Sequence, residues 1–334
     1  MQSTVQKVMH ILREEDDFLV TAHVNPDGDA IGSMSALAWM LSRMGKRVAA
    51  YNETGIPHYL QWVEFPCPFS SSLHHLPFTP RRLIVLDCGS AARGGEALEQ
   101  YAQGMPSLCI DHHINTPGFA DVNWIDPGFA AVGEMLATLA LQMDISLEGP
   151  LGEAVYLAMA SDTGNFSYGN TTPRTLEIAA AIVRSGLDLE SFTAKHETNW
   201  SLNRVHLWGR LFNSVHLALD GQVAYMTLPD SLFEETGTAL EDAEGIVNYL
   251  RRIVGVKVAL TLRDAGPDKC KISLRTHGAL NVQQVAAEFG GGGHRNAAGA
   301  VLAMPIDRAL EAVLDVLARK LGPGAHPGLD ELRA

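Results

Sequence analysis

The stretch His23-Val24-Asn25-Pro26-Asp27-Gly28-Asp29-Ala30-Ile31-Gly32-Ser33 lies between an apolar run, Phe18 to Ala22, and a helical pattern that begins near Ala30. The run reads as a buried strand, so three potential metal ligands, His23, Asp27 and Asp29, occupy a strand-to-helix loop. Pro26 predicts an extended Asn25, while Gly28 and Gly32 permit a turn and a close helix approach. Sites on α/β sheets lie outside the carboxyl ends of the strands, which is where this loop falls. A plain Asp/Gly turn with Asp29 as a helix cap would explain the loop taken alone. The rest of the chain supplies partners that such a turn does not explain.

Working outward, a short helix from Val5 to Glu15 precedes the first strand. Gly45 closes the helix from Ala30 to Met44, and Arg47 to Tyr51 reads as a second strand, which makes a β-α-β opening. Asn52 to Pro80 is irregular, and its His58, His74 and His75 read as loop histidines. Arg82 to Cys88 and Ser107 to Asp111 are almost continuously apolar, as central parallel strands are. Asp121 to Asp126 reads as an edge strand. Helical patterns follow over 130–143, 151–161, 173–184, 189–196 and 201–213.

Beyond residue 213 the pattern changes. Val215 to Leu219 and Gln222 to Leu228 alternate around Asp220-Gly221, a hairpin signature. A helix is predicted over 243–252, and Val256 to Arg263 pairs with Lys269 to Arg275 through Gly266-Pro267. A helix over 282–289 leads to Gly290-Gly291-Gly292-Gly293-His294-Arg295-Asn296. Ala297 to Met304 and a helix over 306–321 close the pattern.

The chain has 334 residues, 46% hydrophobic and 19% charged, so two domains with real cores are expected. No run reaches membrane-spanning length and no leader pattern is evident, which predicts a cytoplasmic protein with no membrane partner. The four cysteines show no metal-knuckle spacing. A net charge of −13 argues against long duplex nucleic acid but not against a short phosphorylated substrate in one cationic cleft.

Four segments end in candidate ligands: His23, Asp27 and Asp29 after the first strand, Asp87 after the third, His112 after the fourth, and Asp162 after a helix. Parallel strands deliver such ends to one sheet edge. Aspartates gathered there would repel one another, and two divalent cations remove the repulsion. Carboxylate with imidazole and no thiolate suits Mn2+, with Mg2+, Zn2+, Fe2+ and Co2+ as alternatives. Paired cations of this kind clamp a phosphoryl group, so the predicted chemistry is phosphoester hydrolysis.

In order, His23-x-x-x-Asp27-x-Asp29, Asp87, Asp111-His112-His113, Asp162 and the glycine run ending at His294 resemble the DHH family of phosphoesterases with its DHHA1 domain. The likeness runs from about Phe18 to Met304, and the length is similar to that of stand-alone members. These include bifunctional oligoribonucleases that also dephosphorylate 3′-phosphoadenosine 5′-phosphate (pAp). The resemblance implies an α/β fold with a parallel sheet flanked by helices over 1–190 and a helical linker over 191–213. A smaller α/β DHHA1 domain over 214–322 and a frayed tail over 323–334 would follow, with the active site in the cleft between the domains.

Carried over residue by residue, the resemblance implies one cation on His23, Asp27 and Asp87 and a second on Asp29, Asp87, His112 and Asp162. Asp87, Asp111 and His113 form the implied catalytic group. Asp111 would orient His112 or support its loop, and His113 would face the scissile phosphate as donor or general acid. Substrate would be held by Arg275, His294, Arg295, Gly291, Gly292, Gly293 and Arg93, with Asn281 and Asn296 weaker candidates and Lys271 a solvent-facing strand residue. Ser90 stands where the family often has a further acidic residue.

The implied function is hydrolysis of short single-stranded RNA to nucleoside 5′-monophosphates, and of pAp to AMP and phosphate, through two-metal activation of water. A clamp on the far end of the substrate restricts it to about two to five nucleotides. The alternative is a phosphodiesterase for cyclic dinucleotides or their linear products (c-di-AMP/pApA, c-di-GMP/pGpG). A regulatory nucleotide-binding module would need ligands to be missing, and none is. The N-terminal helices carry apolar surface compatible with a homodimer.

Overall fold

The computed structural model describes residues 3–197, 200–276 and 280–322. The tail expected to fray, 323–334, lies outside the described residues. The chain divides into two units, 1–199 and 200–334. Among the described residues no helix is long and apolar enough to cross a membrane.

The first unit runs α1 (Thr4–Glu14), β1 (Phe18–Thr21), α2 (Gly28–Arg43), β2 (Val48–Tyr51), β3 (Phe69–Ser70), β4 (Arg82–Leu86), α3 (Glu96–Tyr101), β5 (Ser107–Asp111), β6 (Val122–Ile125), α4 (Val132–Gln142), α5 (Pro150–Asp162), α6 (Pro173–Arg184) and α7 (Leu189–Glu197). Its sheet has the order β3-β2-β1-β4-β5-β6, and every neighbouring pair is parallel. The ends of β1, β4 and β5 therefore emerge side by side, and each carries a site motif. β6 is an edge strand, as its mixed pattern predicts. β3, only two residues long, and α3 lie in stretches too short to carry a period.

α2 is almost wholly buried, with Ile31, Met34, Leu37, Met40 and Leu41 at zero exposure. Each such side chain stabilises the fold by about 1.5–3 kcal/mol, so the helix that presents Asp29 is held firmly in the core. A Cβ on Gly32 would stand 2.6 Å from the carbonyl oxygen of Ala154, and one on Gly133 would stand 2.3 Å from the Cβ of Ala158. Glycine at these points lets α2, α4 and α5 close on one another.

Two local expectations are corrected. α2 begins at Gly28, with Asp27 rather than Asp29 as its N-cap, accepting the Ala30 N–H at 3.1 Å. Asn25 is not extended. Its φ is +52°, and its N–H donates to Thr54 Oγ1 at 2.7 Å. Asn is one of the few residues that enter this region at modest cost, and the hydrogen bond outweighs the bias imposed by Pro26.

The second unit runs α8 (Leu202–Asn213), β7 (His216–Ala218), β8 (Val223–Leu228), α9 (Asp230–Thr236), α10 (Val247–Leu250), β9 (Val258–Asp264), β10 (Cys270–Thr276), α11 (Val282–Ala287), β11 (Gly292–His294), β12 (Ala297–Leu302) and α12 (Ile306–Leu321). The sheet order is β11-β12-β10-β9-β8-β7, antiparallel except for β8 with β9. Asp220-Gly221 makes the expected hairpin, with both residues at positive φ. The helix expected over 243–252 is broken by Gly245 at φ +83° into a 3-10 turn (Leu240–Ala243) and α10. Within the stretch 191–213, α7 lends Phe192 to the first unit's core. α8 packs Leu207, Trp208 and Leu211 against Ala224, Met226 and Leu228 of β8.

Candidate metal centre

Asp87 lies one residue beyond β4 at φ +51°, a left-handed conformation that Asp tolerates better than most residues. That turn carries the carboxylate out of the strand. Its Oδ2 faces His23 Nε2 at 3.6 Å, and its Oδ1 faces His112 Nε2 at 3.6 Å and His113 Nδ1 at 3.4 Å. Oδ1 is buried and receives no well-formed hydrogen bond.

His23 turns its Nδ1 to the Val24 carbonyl at 2.9 Å, which leaves Nε2 for the cluster. His112 does the same through the Phe129 carbonyl at 3.2 Å. A carbonyl only accepts, so Nδ1 carries the proton in both rings and Nε2 is the candidate ligand atom. His112 Nε2 lies 3.1 Å from Asp162 Oδ2 and 3.7 Å from Asp29 Oδ2. Asp29, fully buried, also accepts from Ser33 Oγ at 2.8 Å and from the N–H groups of Val132 and Gly133 at 2.8 and 3.1 Å.

Among the described residues of the first unit, three groups have ligand atoms that all lie within 4.8 Å of one another: His23/Asp27/Asp87, Asp29/Asp87/His112 and Asp87/Asp111/His113. Asp87 belongs to all of them. Asp111 accepts from the N–H groups of His112 and His113, from His113 Nδ1 at 2.7 Å and from Thr116 Oγ1. Its carboxylate is thus taken up in holding the His112-His113 turn.

Charge explains why the cluster needs a cation. Burial and Asp87 push Asp27 up to about 6. Burial, with Asp87 and Asp162 beside it, lifts Asp29 well above the carboxylate range. Burial opposes ionisation of Asp87 too, but His112 and His23 outweigh it and hold Asp87 well below that range. Burial pulls the His23 imidazole down, yet Asp87 and Asp27 more than reverse this, raising it to about 9. Histidine protons are the counter-charge here, and a divalent cation fits the same role with the same atoms. The donor set, oxygen and imidazole without thiolate, fits such an ion.

Asn52, which carries no motif, is fully buried and donates from Nδ2 to the His23 carbonyl at 2.8 Å. Its Oδ1 accepts from Thr54 Oγ1 at 2.8 Å, tying the loop at Asn25 to β2. Arg93 is exposed, and its carbonyl accepts the Val24 N–H at 2.7 Å. Ser90 accepts the Arg93 N–H through its own carbonyl at 3.2 Å.

In the second unit, Arg275 of β10, Ala297 of β12 and His294 of β11 stand opposite one another across three strands. The small Ala297 leaves room between the two basic side chains, about 10 Å apart by strand spacing. The glycine run is in part the edge strand β11. A Cβ on Gly291 would stand 2.2 Å from the Gly299 carbonyl oxygen, and Gly293 has φ +131°. A Cβ on Gly292 would meet nothing within 4 Å. Asn281 caps α11 with its Oδ1 on the Gln283 N–H at 3.0 Å. Arg295 and Asn296 are exposed, and their carbonyls accept the Val282 and Thr276 N–H groups at 2.9 and 3.0 Å. Lys271 is exposed on β10.

The DHH family N-terminal domain matches residues 17–160, and the DHHA1 domain matches residues 220–322. A Thermus thermophilus protein, the bifunctional oligoribonuclease and PAP phosphatase NrnA, is 31% identical over 92% of this chain and 91% of its own length. This chain belongs to the DHH/DHHA1 family of phosphoesterases. The Bacillus subtilis NrnA is 29% identical over 85% of the chain and 89% of its own length. The crystal structure of an exopolyphosphatase-related protein from Bacteroides fragilis superposes with a TM-score of 0.84 at 25% identity, covering 96% of both chains. The DHH match spans His23, Asp27, Asp29, Asp87 and His112, with Asp162 just past its end. The DHHA1 match spans Arg275, His294 and Arg295. Family and clusters together make this a divalent-cation-dependent enzyme.

Proposed function

We propose that this DHH enzyme hydrolyses very short single-stranded RNA to nucleoside 5′-monophosphates, and pAp to AMP and phosphate, in the cytoplasm. The observation that carries the reading is Asp87, whose two carboxylate oxygens face two separate His/Asp groups. His23, Asp27 and Asp87 would hold one cation, and Asp29, Asp87, His112 and Asp162 the other, with Mn2+ best matched to the donors. Bound there, two cations supply charge neutralisation for the phosphoryl oxygens and a lowered pKa for water.

The chain's own residues do the rest. His113 keeps its Nδ1 proton on Asp111. Burial lowers its pKa, but Asp111 and Asp87 outweigh burial and raise it. Its side chain is 23% exposed, and a proton held on Nε2 would serve the leaving oxygen. Arg275 and His294 bind the substrate's terminal phosphate, with Arg295 and Gly292 beside them. A substrate anchored at such a point is limited in length, which agrees with the names of the relatives.

The test is Mn2+-dependent hydrolysis of a 5′-labelled RNA series beside phosphate release from pAp, with Asp87→Asn as the control because Asn tolerates the same backbone conformation. Cleavage of the shortest RNAs together with phosphate release, both lost in the control, is the expected result. Inactivity on both with turnover of a cyclic dinucleotide would overturn the substrate assignment.

A further inference from the structure

α4 has no side-chain cap of its own at Ala131. Its first N–H groups, on Val132 and Gly133, are accepted by Asp29 on α2. The carbonyl two residues before the cap, on Phe129, fixes His112. Two candidate cation ligands from different elements therefore lean on one short segment, residues 128–133.

That segment is clamped from the other side. Glu134 is fully buried, and its Oε2 accepts the Ala130 N–H at 2.6 Å while Oε1 accepts Arg174 Nε at 2.7 Å. Arg174 reaches past it to donate from Nη2 to the Gly128 carbonyl at 2.7 Å, and its guanidinium lies 3.8 Å from the Phe129 ring centre. Asn170 Nδ2 spans the Ala130 and Asp162 carbonyls at 3.2 and 3.1 Å. A buried carboxylate is costly unless its charge is met, and a simple helix staple needs no ion pair. The planar fork of Arg174 meets Gly128, Phe129 and Glu134 at once, which a lysine cannot do.

We propose that Glu134 and Arg174 are positioning residues of the metal centre, setting the Phe129 carbonyl and the α4 N-terminus against which His112 and Asp29 are aimed. The proposal rests on the two-cation reading above. It assigns the pair to the second cation position and not to the one on His23, Asp27 and Asp87.

The experiment titrates Mn2+ by calorimetry into the metal-free full chain, its Arg174→Lys and Glu134→Gln variants, and His112→Ala, which marks the step belonging to the second position. Melting in chelator is measured alongside. Wild type takes up two ions. Arg174→Lys and Glu134→Gln weaken the marked step about 10- to 100-fold, keep the other within about twofold, and keep their metal-free melting near wild type. Two unchanged affinities in a folded Arg174→Lys chain would overturn the proposal, as would parallel loss of both affinities with a lowered melting temperature. Should Glu134→Gln not fold, Arg174→Lys decides, since it keeps a positive charge beside Glu134. A wild-type chain that takes up no Mn2+ overturns the two-cation reading itself, and the proposal with it.

Discussion

Asp29 Oδ2 accepts the backbone N–H of Val132 at 2.8 Å, across 103 positions of sequence. A candidate cation ligand is at the same time the cap of a distant helix. Asp27, two positions earlier, caps only its own helix.

Alanine variants should separate these roles. Asp29→Ala leaves two buried N–H groups without an acceptor, at about 1–3 kcal/mol each, so the metal-free chain should melt markedly lower. Asp27→Ala removes one cap, at about 1 kcal/mol. Both should lose activity by orders of magnitude. Equal melting temperatures in chelator would contradict the assignment.

Stability should depend on pH with opposite signs in the two metal states. The folded pKa of His23, about 9, lies above its ordinary 6.5. Such a group stabilises the fold fully below about 6.5 and loses that effect as pH rises through about 9, on the order of 3 kcal/mol at most. Metal-free protein should therefore melt lower at pH 9 than at pH 6.5. In saturating Mn2+ the imidazole must be neutral to ligate, so affinity and melting temperature should rise over the same window. Thermal melts in chelator and in Mn2+ read both slopes.

If Arg275 anchors the phosphate that is not cleaved, Arg275→Ala should raise KM for pAp about 10- to 100-fold while kcat changes less. Arg275→Lys should recover only part of this, since a point charge does not replace a fork. Steady-state kinetics on both variants measure it, and a fall in kcat at constant KM would count against the phosphate-anchoring role.

The thiols should be inert. Burial pushes Cys67, Cys88 and Cys270 up to about 11 and Cys109 higher still. A disulfide-exchange reagent at pH 8 should label the folded chain slowly and the unfolded chain fast, and activity should survive that exposure.

Much of the centre was legible because its ligands follow strand ends, and strand ends follow apolar runs. Arg82 to Cys88 and Ser107 to Asp111 could be read that way, and their parallel pairing made Asp87 and His112 neighbours. What escaped reading acts across distance. Asn52 and Glu134 sit in unremarkable local sequence, and their partners are far along the chain or backbone atoms that leave no pattern. Asn25 escaped because a tertiary hydrogen bond outweighed the restriction from Pro26, and the glycine run because three residues pair as an edge strand too short to carry a period.

The glycine contacts of α2 and α4 with α5 meet at Ala158, whose Cβ lies 3.1 Å from a Cβ on Gly32 and 2.3 Å from one on Gly133. Asp29 rides on α2 and Asp162 ends α5, so the span between two proposed ligands of one ion is set where three helices touch through methyl-sized groups. That junction works as a gauge. A single added carbon there would widen the coordination cage and shift its preference among ions of different radius, with every ligand left in place.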